Sequence, residues 1–372
     1  MSPPEPDAAD TSWCELAATG VGVYVHVPFC SHRCGYCDFA AFSEVDDLME
    51  AYVARVVREI SERVRTPAPS VFVGGGTPSR LGPELLHRLV AAVPRTPAAE
   101  VTVEMNPESA DAEVVAAAVE AGANRLSLGV QSVAPAVLGF LERRHDPEVT
   151  MRAIEHVRTH AGTTLNLDII YGVPTETSDD WEETLDFTLR VSPDHVSCYA
   201  LTVEDATPLG RAVASGRAPA PDDDTAATRL AHACERLAAA GYSRYEISNW
   251  SRGRPCLHNL RYWSGGAYVG CGNGAHSYDP ATRQRRWNHR HPRTYVESDD
   301  PTAGIEILTP AQRRDEAVML GLRRSAGLAW PDDAAVPAHL LGAGLVVHDR
   351  GRLRLTERGM AVAGAVILDL VP

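Results

Sequence analysis

The chain has 372 residues, enough for two or three domains with a sizeable core. Its formal net charge is −14 and it contains no lysine, which weighs against general nucleic-acid binding, because phosphate contacts need clustered positive charge. A 44% hydrophobic and 23% charged composition is ordinary for a soluble globular protein, and no apolar run is long enough to span a membrane. Eight cysteines without an export signal point to thiol or metal chemistry in a reducing cytoplasm, where the protein is expected to reside.

Residues 1–20 are acidic and proline-rich and lack the apolar centre of a secretory signal, so they read as a short disordered lead. From 21 to 250, short β-branched runs alternate with amphipathic segments. Strands are expected over 21–27, 70–75, 101–105, 125–130, 165–172 and 195–201, and helices over 47–64, 82–92, 112–121, 147–160, 179–190 and 225–240. Such alternation predicts an α/β fold with a parallel sheet, and six successive strands suit a partial, TIM-like (β/α)6 barrel; a doubly wound open sheet is the competing architecture. A Pro-, Ala- and Asp-rich stretch at 205–222 reads as a loop. Residues 251–308 form a connecting segment of weak periodicity, and 309–372 predict helices at 311–325 and 335–341, a hairpin turning at Asp349-Arg350-Gly351, and a last helix from Glu357. That combination suggests a winged-helix-like accessory domain.

The first strand runs into Cys30-Ser-His-Arg-Cys34-Gly-Tyr-Cys37, a CxxxCxxC loop. Thiolates suit iron–sulfur clusters and zinc. Three of them leave one iron of a cubane open to a small molecule, whereas a structural zinc site needs a fourth ligand, for which Cys14 or His32 is available. Gly74-Gly75-Gly76-Thr77-Pro78 follows the second strand, and glycines there allow close backbone approach and exposed N–H donors. Glu104, Gln131 and Asp168 fall at later strand ends, where ligands of such barrels gather.

CxxxCxxC after a strand, then GGGTP, resembles the radical S-adenosylmethionine (SAM) superfamily. YVHVPFC, SLGVQS, LNLDIIYGVPTET, YEISNW and HNLRYW, in that order, are similar to its oxygen-independent coproporphyrinogen III oxidase-like family, and most of all to the heme-chaperone branch called HemW. The resemblance implies a [4Fe–4S] cluster on Cys30, Cys34 and Cys37, with SAM chelating the fourth iron. It implies SAM contacts from Tyr24, Gly75, Gly76, Thr77, Glu104, Gln131, Arg143 and Asp168. Glu142 stands where the family commonly has Gly, which leaves Arg144 as an alternative to Arg143. Phe39 occupies the position of a fourth cysteine found in the oxidases. The motif His258-Asn259-Leu-Arg-Tyr262-Trp263 (HNxxYW) implies heme binding, with His258 as axial ligand and Cys256 as an alternative, and His276 either structural or lining the site. Delivery of heme to apo-hemoproteins, such as respiratory ones, is the implied function, with a homodimer as a possible assembly. Oxidative decarboxylation of coproporphyrinogen III in porphyrin biosynthesis is the alternative.

Overall fold

The computed structural model describes residues 8–371. In chain order the elements are α1 (Ala8–Ala18), β1 (Gly22–Val27), α2 (Met49–Arg63), β2 (Ala68–Gly75), α3 (Gly82–Ala91), β3 (Arg95–Met105), α4 (Ala112–Glu120), β4 (Arg125–Gln131), α5 (Pro135–Phe140), α6 (Pro147–Arg158), β5 (Thr164–Tyr171), α7 (Ser178–Val191) and β6 (His195–Ala200). Next come α8 (Pro208–Ala214), α9 (Asp223–Ala239), β7 (Ser243–Glu246), β8 (Asn249–Ser251), α10 (Leu257–Trp263), β9 (Tyr268–Cys271), β10 (His276–Asp279), β11 (Gln284–Asn288), α11 (Pro292–Glu297) and β12 (Thr302–Ile307). The C-terminal unit holds α12 (Pro310–Gly321), β13 (Leu328–Ala329), α13 (Ala338–Gly342), β14 (Val346–Asp349), β15 (Arg352–Leu355), α14 (Glu357–Ala361) and α15 (Ala363–Leu370).

β1 to β6 lie side by side in sequence order, every neighbouring pair parallel. No reversal of strand order occurs among them, so the doubly wound alternative, which requires a switch point, is wrong. The six strands alternate strictly in character. Val23, Val25, Val71, Val73, Val101, Val103, Leu126, Leu128, Leu165 and Leu167 pack with Tyr52, Ile60, Leu86, Leu89, Val115 and Ile154 from the crossover helices in one buried core. Burying each such aliphatic side chain contributes about 1.5–3 kcal/mol. The opposite face carries Tyr24, Phe72, Glu104, Arg125, Ser127, Asn166, Asp168 and Ser197 around a cavity. Parallel strands covered on both faces are ordinarily apolar on both; here one face is reserved for polar groups.

Three sequence expectations are corrected. The lead over 1–20 contains α1, whose Cys14 and Ala17 are buried against Tyr245, Leu257 and Leu260; an Ala-rich helix with an apolar stripe finds a partner in α10. Residues 1–7 lie outside the described residues. The segment 251–308 is more than a connection: β9 pairs with β1 in parallel, and β10, β11 and β12 extend that edge as an antiparallel ribbon. β8 and β7 extend the other edge, giving a twelve-stranded sheet among the described residues. The loop at 205–222 carries α8, started by Thr207, whose side chain accepts from the Gly210 N–H.

The C-terminal unit is a small three-stranded antiparallel sheet, β13-β15-β14, with the expected hairpin between β14 and β15. Its helix α12 stops at Gly321, four residues before the expected end. The final helix breaks at Val362 into α14 and α15. No helix among the described residues is long and apolar enough to cross a membrane.

Candidate functional site

An outer cavity of about 440 Å³ opens at the C-terminal ends of the parallel strands. Cys30, Cys34 and Cys37 line it from the loop after β1, facing Gly75, Thr77, Glu104, Gln131, Arg143 and Asp168 across it. Seven of the eight residues expected to contact the cofactor therefore converge on the cysteines. Tyr24 is the exception among them: it lines a second, inner cavity, and its hydroxyl bonds His26 Nδ1 at 2.9 Å.

The glycine run is there for space. A Cβ on Gly75 (φ +115°) would sit 2.4 Å from the His26 ring, and one on Gly76 would sit 2.8 Å from Pro28 backbone. The expected free N–H donors are not available. Gly75 N–H donates to Glu104 Oε2 (3.0 Å), Gly76 N–H to the Val27 carbonyl (2.7 Å) and Thr77 N–H to the Phe29 carbonyl (2.9 Å). The run is spent holding β2 against the cysteine loop, and what it offers the cavity is a side-chain hydroxyl. Thr77 Oγ1 lies 3.5 Å from Cys30 Sγ and accepts from Asn106 Nδ2 at 3.1 Å.

Arg143 is the arginine that faces the cavity, and Arg144 is exposed. Its Nη2 donates to Asn106 Oδ1 (2.8 Å) and the Gly129 carbonyl (2.9 Å), Nη1 approaches Cys34 Sγ at 3.9 Å, and Nε is buried without a partner. Glu142 accounts for its own departure from glycine. It takes a positive φ of 54°, and its Oε2 accepts from Gly35 N–H (2.9 Å) and meets His32 Nε2 (3.1 Å), tying the helix-end turn to the cysteine loop. Gln131 also has positive φ, at a register shift where β4 leaves the sheet. Burial, then the nearby Asp168, pushes the Glu104 carboxyl up to about 7. Burial likewise raises Asp168 against hydrogen bonds from Ser197, Ser127 and Asn166.

The inner cavity, of about 130 Å³, shares Glu104, Ser127, Asp168 and Tyr199 with the outer one. Its far end is closed by α10, which carries HNxxYW. The Glu100 carboxylate accepts from the N–H groups of Leu257 and His258, both at 3.0 Å, and so holds the helix N-terminus. His258 is 1% exposed; Nδ1 bonds Ser70 Oγ and Nε2 bonds Tyr262 Oη, both at 3.1 Å, and burial pushes its pKa down to about 3. Asn259 Nδ2 donates to Tyr245 Oη, Tyr245 bonds His195 Nε2 (2.8 Å), His195 Nδ1 bonds Asn166 Oδ1 (2.5 Å), and Asn166 Nδ2 donates to Asp168 Oδ1 (2.9 Å). Trp263 faces the other way, under the Arg323 guanidinium at 4.5 Å.

The expected heme face is not laid open in this arrangement. Both His258 nitrogens are engaged, and the cavity beside them, at about 130 Å³, is smaller than one known to hold benzene. Cys256 is likewise engaged: it is buried, its Sγ donates to Glu100 Oε1 at 3.4 Å, and burial pushes its thiol up to about 12. His276 is exposed on β10, stacked 5.8 Å from the Trp287 ring. Sequence reasoning passed over Arg125, Ser127, Asn166, His195, Tyr199 and Tyr245. The signal was available in the alternation of RLSLG, LNLDI and HVSCY, where every second residue is polar in strands otherwise built for a core.

A profile of the Radical SAM superfamily matches residues 24–188. The chain is 42% identical over 370 residues to "Heme chaperone HemW" of Mycobacterium tuberculosis, covering 94% of each protein. The chain belongs to the HemW family of the radical SAM superfamily. "Heme chaperone HemW" of Synechocystis sp. is 34% identical, covering 82% of this chain and 79% of that protein. The solved structure of coproporphyrinogen III oxidase (HemN) from Escherichia coli superposes with a TM-score of 0.80 over 98% of this chain and 93% of the other; at 20% identity the likeness shows the shared fold.

Membership implies a [4Fe–4S] cluster and SAM, and the donor set fits them. A cubane asks only that three thiols face one space, each meeting a different iron, and the three line one cavity as free cysteines. The unpartnered Nε of Arg143 adds a buried donor beside them.

Proposed function

We propose that this chain is a cytoplasmic heme chaperone that binds heme and delivers it to apo-hemoproteins, respiratory ones among them, and that carries a SAM-coordinated [4Fe–4S] cluster. The observation that carries the reading is Phe39. It lines the outer cavity with the three cysteines and is 60% exposed, where a fourth thiol marks the oxidases. Relatives named heme chaperones over nearly the whole chain support it.

When bound, the cluster supplies one-electron reduction of SAM. Cys30, Cys34 and Cys37 hold it. Arg143 offers its guanidinium to the carboxylate of SAM, while Glu104 and Asp168 accept from its ammonium or ribose hydroxyls. Thr77 and Gln131 border the same space, and Gly75 and Gly76 admit the ligand by lacking side chains. Residues 21–250 serve as an open (β/α)6 barrel, 251–308 extend and close it, and 309–372 form a winged-helix-like accessory domain. In this reading HNxxYW seats α10 and so plugs the barrel. For His258 to reach heme iron, its bonds to Ser70 and Tyr262 must break and α10 must leave Glu100. A homodimer is the assembly that goes with it.

The test is an anaerobic heme titration of the cluster-reconstituted chain followed by Soret absorbance, then transfer to an apo-hemoprotein. Saturable binding and transfer are expected; a titration that never saturates overturns the reading. A parallel assay with coproporphyrinogen III, SAM and reductant should give no protoporphyrinogen, and product there would move the oxidase to the front.

A further inference from the structure

We propose that two copies of this chain pair through the outer edge of β12, antiparallel and about a two-fold axis at Ile305, so that their sheets become one. This rests on the homodimer of the proposed function and names its interface.

The twelve-stranded sheet ends in β7 on one side and β12 on the other. The β7 edge is covered by the chain at 323–325: Glu246 pairs with Arg324, Ile247 N–H donates to the Arg323 carbonyl, and Ser325 N–H donates to the Tyr245 carbonyl. Among the described residues β12 has β11 alone as a partner. Leu308 N–H donates to the Arg283 carbonyl at 2.9 Å, which continues the β11–β12 register and fixes its alternation. Glu306 and Gly304 therefore turn their backbone groups towards β11, while Ile307, Ile305 and Ala303 turn theirs outwards. The same three residues carry exposed side chains, Ile305 at 56% and Ile307 at 62%. Such an edge is ordinarily blunted by a proline, a charge or a bulge. Here its outward residues are one alanine and two isoleucines.

The strand is complementary to itself in one register. An axis at Ile305 sets that residue against its copy, and Ala303 against Ile307 of the second copy. All three outward residues then exchange both hydrogen bonds, and the isoleucines form one apolar strip. An axis at Glu306 would oppose two carboxylates, and an axis at Gly304 would bring Pro301, which has no N–H, opposite Ile307. The charges beyond the strand agree. Asp299 and Asp300 lead into β12, Arg313 and Arg314 follow it at the start of α12, and all four are exposed. The two arginines line an open cleft with Arg283 and Pro310, and no hydrogen bond or ion pair among the described residues reaches either guanidinium. Antiparallel pairing lays the acidic end of each copy beside the basic end of the other, so a second copy makes the same contact twice by symmetry.

The experiment is sedimentation velocity of the full, cluster-reconstituted chain over a concentration series, with and without heme and SAM. The wild type should show a monomer–dimer equilibrium. Ile305→Lys and Ile305→Asp, each checked for folding by circular dichroism, should each weaken the dimer by about tenfold or more, because like charges meet on the axis. An equal mixture of the two should restore it, since each charge then faces its opposite. Arg313→Glu combined with Arg314→Glu should weaken the wild-type dimer severalfold, as should high salt. A wild type that stays monomeric at every concentration overturns the homodimer and this interface with it. A dimer that Ile305→Lys leaves intact, or that the mixture fails to restore, overturns the β12 interface and leaves the homodimer standing. A heme titration of the same samples reports separately on the chaperone reading.

Discussion

Two buried acidic clusters flank β1, and they are built on opposite logics. On the helix side, Glu59 of α2 is fully buried and fully satisfied: Arg63 and Asn288 donate to Oε1, Gly272 N–H and the Tyr295 hydroxyl to Oε2. Arg63 in turn donates to the Gly270 carbonyl and Ser277, so the cluster fastens α2 to β9, β10, β11 and α11. On the cavity side, Glu104 and Asp168 have lone pairs to spare, and among the described residues no side-chain hydrogen bond reaches the Arg125 guanidinium, whose charge is held by acidic groups nearby, Glu100 and Asp168 among them. A folded chain closes its buried charges where they serve only the fold. Where they stay open, the site is built for something else.

The comparison is broken most severely at Glu59. Glu59→Ala removes the partner of a largely buried Arg63 and orphans Tyr295 and Asn288, and it should cost about 3–5 kcal/mol in chemical denaturation. A loss under about 1 kcal/mol would mean that the satisfied cluster is no structural fastener.

His258→Ala comes next, at about 2–4 kcal/mol, from the lost contacts with Phe72 and Tyr262 and the bonds to Ser70 and Tyr262. The folded variant should keep the wild-type Soret position when loaded with heme. A shifted Soret band with unchanged stability would reverse the assignment of HNxxYW as a plug.

What the sequence allowed to be read follows the same division. β1 to β6 and their helices were legible because each outward strand face is Val- or Leu-rich and each crossover is long and amphipathic. The cysteines and most of the residues around them were legible through order and spacing. β9 to β12 were not, since strands of four to six residues such as QRRWN, with arginines and a tryptophan, gain their stability from distant pairing partners. HNxxYW could be read two ways because His, Asn, Tyr and Trp at helical spacing look the same whether they face a ligand or lock a helix into a barrel. Arg125 escaped notice because an arginine at a strand start is ordinarily in water.

A smaller effect, and one of the opposite sign, is expected at Glu104. Its folded pKa is raised from 4.5 to about 7, so the ligand-free chain has the associated stability in full below about 4.5 and loses it as pH rises through about 7. Glu104→Gln cannot ionise and keeps an acceptor for Gly75 N–H. Its stability relative to wild type should climb by ~2 kcal/mol between pH 4.5 and 8 and level off above. A flat difference across that range would place Glu104 among the satisfied carboxylates.

The smallest change is the sharpest discriminator. Arg125→Met replaces a buried cation, which makes no side-chain hydrogen bond among the described residues, by an apolar side chain of similar length. Were Arg125 a fastener like Arg63, the variant would lose several kcal/mol. If it is no fastener, the variant should lose no more than about 1 kcal/mol, since no hydrogen bond is broken and only the attraction of the nearby acidic groups is forfeited. Denaturation midpoints of Arg125→Met and Glu59→Ala, measured side by side without added ligand, separate the cases. Two large losses would make both clusters structural, whereas a large loss at Glu59 with none at Arg125 leaves the open charges in the barrel as a site.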